Sequence, residues 1–578
     1  MATPKKLLLP AALAEKIQPR NLALWGAAVF CGLLAGLAAE ALNYALAASA
    51  GALRPYRGYW WAMGLPALGA AVAVLLKHYV FHQTEREGIP RVISSICCKD
   101  GELDPKSSVT DLLYCVLSLG SGGSVGPEGP VAGSGAAIGA NLIQVFRLPA
   151  NFRITLAASG VAGAISAIFN APSTGVIFAM EVILGSWTPF HLVPIAISAL
   201  SAAWLSRHIS GRSAAFQAAQ SSLHNMDWLS VIAVILFSVA VSVALTRLIR
   251  HVGRYSERLV GNAWIRAAAG GLLVGMIGMA MPMVLGEGYR PTIEAINNNF
   301  PSGLGLAALF VAAKIVATSL SLGTGAPGGV FAPSLVLGSA SGLVCFRFLN
   351  FITAGRYLPA DETGFALMGM AGVMSGVMQA PLTGLVLVLE ITASHGAIFP
   401  LMVTVLAAAV ISHRLEPIPF YYKPLVDAGE YAPPKSDRRI LAHIRLTEAI
   451  DNSRLIVAPE DTVAEFLGRL KTSLNTNIPV VDADGRYVGL IGVNRMRRKL
   501  LDPGWSGHTV GELVKGQDIP LVDPAAQVSG VLETMDESKQ TILPVVRDGK
   551  YLGVVSREDL LTLYRRRKVE DESLEQSF

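Results

Sequence analysis

The chain has 578 residues, 52% hydrophobic and 15% charged, with a mean hydropathy of +0.48. Soluble domains carry about 25% charged residues, so a single water-soluble enzyme does not fit. The net charge of +5 is small for this length, and the arginines are not interleaved with aromatics, so no nucleic-acid partner is expected. There are 47 basic and 42 acidic residues, and nearly half of them fall in the last quarter of the chain, from Asp437 on. A membrane domain followed by a soluble one is the organisation this predicts.

Lys5, Lys6, Lys16 and Arg20 face only Glu15 before the first apolar run, which predicts a cytoplasmic amino-terminal segment over residues 1–21. The run over 22–53 is too long for a signal-peptide core. Apolar stretches follow at 60–76, 154–184, 192–205, 228–245, 267–285, 304–322, 330–348, 366–390 and 398–411. Several are shorter than the roughly 20 residues a simple span needs. Glycine and proline interrupt them at 120–130 and 323–333. Broken backbone at membrane depth is tolerated where it is buried in protein or lines a polar cavity, so a pathway through a bilayer-embedded protein is expected. The five cysteines (Cys31, Cys97, Cys98, Cys115, Cys345) suggest neither a disulfide framework nor a metal site.

The membrane part is duplicated. SLGSGGSVGPEGP (118–130) matches SLGTGAPGGVFAP (321–333) at an offset of 203, with Gly126 aligned to Gly329 and Pro130 to Pro333. At an offset of 209, Ala171-Pro172 matches Ala380-Pro381 and Glu181 matches Glu390. Glu87-Gly88 recurs as Glu287-Gly288. The halves run over about 22–210 and 228–429. Duplicated transporters place a site between halves, with half-helix ends aimed at the ion. Glycine lets backbone approach an ion closely, and a helix N-terminus offers free N–H groups and a positive dipole end, so the implied ligand is an anion. Close helix packing is the other use of such glycines.

After a linker over 430–445 the pattern changes. IPVVDADGRYVGLIG (478–492) and LPVVRDGKYLGVVS (543–556) are near copies, each two β-rich runs around an Asp-Gly turn. They predict a cytoplasmic α/β domain over 446–568, with a tail over 569–578.

These motifs resemble the CLC family of chloride channels and proton-coupled anion transporters over roughly residues 22–429. GPEGP (126–130), GTGAPGGVFAP (323–333), NAPSTGVIFAMEV (170–182) and Tyr421 carry the resemblance, and REGIP (86–90) takes the place of the first anion loop. The fold this implies is mainly α: a polytopic membrane protein of two inverted halves with broken helices. The resemblance makes Glu128 the gating glutamate. The anion path would run past Gly88 and Ile89, past Gly126, Pro127 and Gly129, and past Gly329, Val330, Phe331 and Ala332. The N–H groups of Val330 and Phe331 and the hydroxyl of Tyr421 would hold the central anion. A carboxylate among helix N-termini can occupy an anion site itself, and protonation releases it; the alternative for Glu128 is an ordinary acid stabilised by the helix dipole.

Three positions depart from the family pattern. Pro127 stands where a lysine or arginine is usual and removes a positive charge, although proline suits a first helical turn. Glu87 replaces a serine or histidine; it is expected to turn away, pair with a base such as Arg86, or carry a proton, and its recurrence as Glu287 favours a structural role in the repeat over one in transport. Val182 replaces the inner glutamate of proton-coupled members. Glu181 beside it is a candidate substitute relay, while its repeat partner Glu390 points to a shared structural role.

The tail resembles a pair of cystathionine-β-synthase (CBS) domains, each β-α-β-β-α. SREDL (556–560) resembles a nucleotide motif in which Asp559 would take ribose hydroxyls and Ser556 a phosphate oxygen of ATP or AMP; the competing reading is a helix N-cap.

The expected protein is a homodimer in the lipid bilayer with both termini cytoplasmic. It needs no cofactor, and transports an anion, chloride foremost, through a glutamate-gated pore in each subunit. The apolar Val182 favours an uncoupled channel with CBS regulation over anion/proton exchange by a non-standard route. A remote alternative, an intramembrane enzyme using Glu128 and Glu181 as acid and base, has no nucleophile, metal cluster or cofactor motif behind it.

Overall fold

Apolar runs this long can satisfy their backbone in a bilayer only as helices, and helices are what they form. The structure, a computed structural model, describes residues 19–56, 58–83, 86–211, 228–301, 303–354, 362–393, 398–430, 441, 444–473 and 475–576. Most of the 1–21 segment and of the 430–445 linker lies outside the described residues. The chain divides into two units, Met1–Tyr431 and Ala432–Phe578.

In the first unit the helices are α1 Pro19–Leu53, α2 Leu65–Leu75, α3 Gly88–Cys98, α4 Ser107–Gly120, α5 Glu128–Val145, α6 Arg153–Phe169, α7 Pro172–Phe178 and α8 Pro189–Ser210. The second half follows with α9 Trp228–Leu259, α10 Ala263–Ala280, α11 Tyr289–Ile296, α12 Leu304–Gly323, α13 Phe331–Ile352, α14 Glu362–Met378, α15 Pro381–Thr392, α16 Ile398–Leu415 and α17 Lys423–Asp427. Nine helices among the described residues are long and apolar enough to cross a membrane. Others, including α3 and α4, are shorter and apolar.

Lipid is as apolar as leucine, so these helices associate by close packing at small residues. A Cβ on Gly135 of α5 would strike the carbonyl oxygen of Gly160 on α6, and one on Gly160 would strike that of Gly135. The second half repeats the arrangement, with Gly338 of α13 against Gly369 of α14. These pairs are separated by the offsets of 203 and 209 seen in the sequence, so the duplication extends to the helix contacts.

The second unit contains α18 Val463–Leu470, β1 Asn477–Val481, β2 Tyr487–Gly492, α19 Val493–Leu500 and α20 Val510–Val514. These are followed by α21 Val528–Glu537, β3 Ile542–Arg547, β4 Lys550–Ser556 and α22 Arg557–Gln576. β1 pairs antiparallel with β2 and β3 with β4, with a register shift at Val480/Val481 in one hairpin and at Val545/Val546 in the other. Single parallel bridges, Val457 to Val480 and Val522 to Val545, mark where the first β position of each repeat falls. Thr462 and Glu465 close the start of α18 with a reciprocal capping box.

Candidate anion pathway

Two glycine-rich turns place the helix starts. Gly122 and Gly325, repeat partners, hold φ of +111° and +94°, a region open to glycine. Beyond them the halves join: the Gly126 N–H donates to the Gly329 carbonyl at 2.8 Å, and the Gly329 N–H donates to the Gly126 carbonyl at 2.7 Å. The N-termini of α5 and α13 therefore converge from opposite halves.

The Glu128 side chain occupies the convergence. It is completely buried, and neither carboxylate oxygen makes a hydrogen bond. Polar groups near the carboxylate are its own N–H, the N–H of Ala332 and the Tyr289 hydroxyl. A Cβ on Gly126 would strike its Oε2, and one on Gly329 would lie 3.0 Å from it. The missing side chains at both glycines are what make room for the carboxylate. Helix N-termini stabilise negative charge, so the converging helix starts favour the carboxylate that sits between them.

A cavity of about 500 Å³ leads up to this point, and Gly88, Ile89, Gly129, Gly329, Val330 and Tyr421 line it. Gly88, at φ +60°, backs onto Gly129: a Cβ there would lie 2.9 Å from the Gly129 carbonyl. The Tyr421 hydroxyl is buried and makes no hydrogen bond among the described residues, so it is a donor available to a ligand. Gly126, Pro127, Glu128, Phe331 and Ala332 are buried and do not line the cavity. The Phe331 ring stacks on Phe169 at 5.1 Å and meets Phe178 edge-on at 5.9 Å, so its ring is committed to the core.

Glu87 also lines the cavity, and its partner is not Arg86. Lys77, in the π-helical segment Leu76–Val80 that continues α2, approaches its carboxylate at 2.8 Å. Arg86 instead donates to Glu430 at 2.5 Å, alongside Ser94 Oγ at 3.0 Å. Burial alone pushes the Glu430 carboxyl up; the hydrogen bonds from Arg86 and Ser94 outweigh it and hold the group below the usual range. The sequence reading named Arg86 because it adjoins Glu87 in the chain, whereas Lys77, ten residues earlier, is brought to it by the fold.

Val182 is buried among apolar neighbours, and its carbonyl accepts from the Tyr422 hydroxyl at 2.7 Å. Glu181 is engaged elsewhere: its carboxylate accepts from the N–H groups of Leu382 (3.1 Å) and Thr383 (2.7 Å) and from the Thr383 hydroxyl (2.7 Å). It thus caps the start of α15, the structural role its repeat partner Glu390 pointed to. Asp111 and Lys314 went unnoticed in the sequence, although both are charged, sit inside apolar runs and differ by 203 positions. Asp111 takes a buried two-point contact from Arg91, and Lys314, completely buried, donates to the carbonyls of Val284 (2.9 Å) and Gly286 (2.8 Å).

In the tail, Ser556 Oγ donates to the Asp559 carboxylate and accepts from the Asp559 N–H at 3.1 Å. The pair caps the start of α22, the competing reading given above.

The sequence profile described as voltage gated chloride channel matches residues 68–413, and that of the CBS domain matches 448–502 and 510–566. The chain belongs to the voltage-gated chloride channel (CLC) family, a family of anion transport proteins, and carries two CBS domains. A protein of Ralstonia nicotianae, whose name likens it to the chloride channel protein ClcB, is 30% identical over 61% of this chain and 83% of its own length. The H(+)/Cl(-) exchange transporter ClcA of Yersinia pestis (strain Angola) is 34% identical over 53% of this chain; the match spans 64% of that protein, just under two thirds. The ClcA of Klebsiella pneumoniae, named likewise, is 30% identical over 68% of this chain and 86% of its own length. Among solved structures, a slow cyanobacterial Cl-/H+ antiporter shares the fold, with a TM-score of 0.63 at 24% identity over 71% of this chain and 98% of that one. The protein is an integral, multi-pass membrane protein of this fold.

Proposed function

We propose that the protein exchanges chloride for protons through a pathway gated by Glu128. The observation that supports a glutamate gate is the buried, unbonded Glu128 carboxylate at the junction of α5 and α13, at the end of the cavity. An anion arriving at the same N–H groups competes with it, and a proton on the carboxyl removes its claim to the site. Two relatives bear the name of exchangers, which turns the reading from the uncoupled channel expected from Val182 to its alternative, exchange by a different proton route. The Tyr421 hydroxyl and the backbone N–H groups of Val330 and Phe331 serve the central anion, and Gly88 and Ile89 border its approach.

The cavity side is assigned to the cytoplasm. Lys77, Arg86, Arg250 and Lys423 line it, and basic residues concentrate on the cytoplasmic side of membrane proteins. Both termini are assigned to the same side, and the working unit is assigned as a homodimer, as the family resemblance implies. The CBS pair is proposed to take ATP or AMP, with Ser556 and Asp559 leaving their mutual cap to meet it. A ligand of the folded form raises the melting temperature, so millimolar ATP or AMP should raise that of the full-length protein; no shift with either nucleotide removes the assignment.

Replacing Glu128 by Gln tests the gate. The neutral side chain should change anion efflux from liposomes and remove its response to pH. Unchanged flux with an unchanged pH response removes Glu128 from the gate.

A further inference from the structure

We propose that Glu87, paired with Lys77, is the station through which protons from the inner solution reach the anion pathway. The proposal rests on the exchange reading and its cytoplasmic cavity. Exchange needs a titratable group that meets inner water and stands close to Glu128. Val182 cannot carry a proton, and Glu181 is spent on the N-terminus of α15.

Three carboxylates line the cavity: Glu87, Glu416 and Asp427. Glu416 is bound by the guanidinium groups of Arg247 and Arg250, which stay charged at any working pH and fix it as an anion. Asp427 is 57% exposed and pairs with Lys423 one turn away on its own short helix. Glu87 differs from both. Its side chain is 20% exposed, and its neighbour Gly88 packs directly on the backbone of Gly129, next to Glu128. Its partner is a lysine, a point charge on a flexible stem rather than a rigid fork.

The charged and titratable groups around Glu87 are Lys77 from the π-helical segment after α2, Asp111, Tyr114 and Cys115 from α4, and Arg91 on the helix it begins. The Arg91 charge is taken up by Asp111. Lys77 is therefore the cation whose engagement depends on Glu87. Ionised, Glu87 neutralises the ammonium and keeps anions from it. A proton added from inner water to a Glu87 carboxyl oxygen forms one O–H bond and leaves the pair with one net positive charge, which one chloride in the cavity balances. Loss of that proton restores the ion pair and expels the anion. Proton and anion occupancy thus rise and fall together at the inner end.

The test uses the full-length protein in liposomes, with chloride flux and proton flux recorded together from pH 5 to 8. Glu87→Gln, which mimics the protonated acid, is expected to raise chloride flux at pH 7 and cut proton movement at least tenfold, while Glu87→Asp restores proton movement. Proton movement at the wild-type rate in Glu87→Gln overturns the proposal. If the wild type itself moves no protons uphill, the exchange reading fails separately. The station is then judged on chloride alone: superimposable flux–pH profiles for wild type and Glu87→Gln overturn it, and a raised, flattened profile in the variant supports it. Should Glu87→Gln not fold, Lys77→Met takes its place, with loss of proton movement expected and wild-type proton movement contradicting the proposal.

Discussion

Glu181 and Glu390, repeat partners 209 residues apart, each cap a helix of the opposite half. Glu181, in the π-helical segment Ala179–Leu184 that continues α7, accepts from the N–H groups of Leu382 and Thr383 and from the Thr383 hydroxyl at the start of α15. Glu390, on α15, accepts from the N–H groups of Ser173 (3.0 Å) and Thr174 (2.8 Å) and from the Thr174 hydroxyl (2.8 Å) at the start of α7. Each carboxylate meets donors left open by a helix beginning with proline and lies at the positive end of its dipole. The contact locks the two halves by exchange of identical parts.

Either Glu181→Gln or Glu390→Gln should therefore lower stability. Hydrogen bonds to a charged group are each worth about 1.5–3 kcal/mol, and the amide keeps only part of the set. Thermal unfolding in detergent should show a lower midpoint for both variants, by similar amounts. Loss of proton movement in Glu181→Gln at wild-type stability would return Glu181 to the role of relay.

Glycine packing gives a second paired expectation. Gly160→Ala and Gly369→Ala each drive a methyl into a backbone carbonyl, of Gly135 and Gly338 respectively. Backbone cannot step aside as a side chain can, and overpacking typically costs about 1–3 kcal/mol. Both variants should lower the melting midpoint, whereas Gly26→Ala, where a Cβ meets nothing within 4 Å, should not. Equal midpoints for all three would contradict the packing account.

The family, the duplication and the meeting of the two glycine-rich turns beside Glu128 were legible because chain-local motifs carry them: GPEGP, its partner turn at 323–333, and constant offsets. The alignment pairs Gly126 with Gly329, but that the two exchange backbone hydrogen bonds is seen only in the fold. The pairings of Glu87 were not legible. Lys77 and Arg86 are both nearby bases, and only the course of the chain after α2 and the position of Glu430 decide which one each carboxylate takes. Glu181 was half legible. Its repeat partner signalled a structural role, but only the folded arrangement shows that the cap crosses between halves.

In the tail, Asp451 supplies a pH dependence. Hydrogen bonding from the Ser453 hydroxyl is the main cause that holds its carboxyl below the ordinary value of 3.8; burial opposes this, and the Ser453 N–H and Arg454 add to it. A depressed folded value means the contribution is complete above about pH 4 and is lost as pH falls through the folded value. The Asp451 backbone exchanges two hydrogen bonds with Val554 on β4, at 2.8 and 3.0 Å. Protection of these amides from hydrogen exchange in the full-length protein should fall as the pH drops below about 4, and Asp451→Asn should lessen that pH dependence. Identical pH dependence in the variant would remove Asp451 as its source.

Coupling of chloride to protons is the central claim, and paired flux in liposomes loaded with the wild-type protein measures it directly. With an imposed chloride gradient and no proton gradient, the account predicts that protons move uphill, that a proton ionophore collapses the pH difference, and that Glu128→Gln abolishes it. Chloride flux that runs down its gradient with no proton movement, at a reversal potential set by chloride alone, would contradict exchange and restore the uncoupled channel.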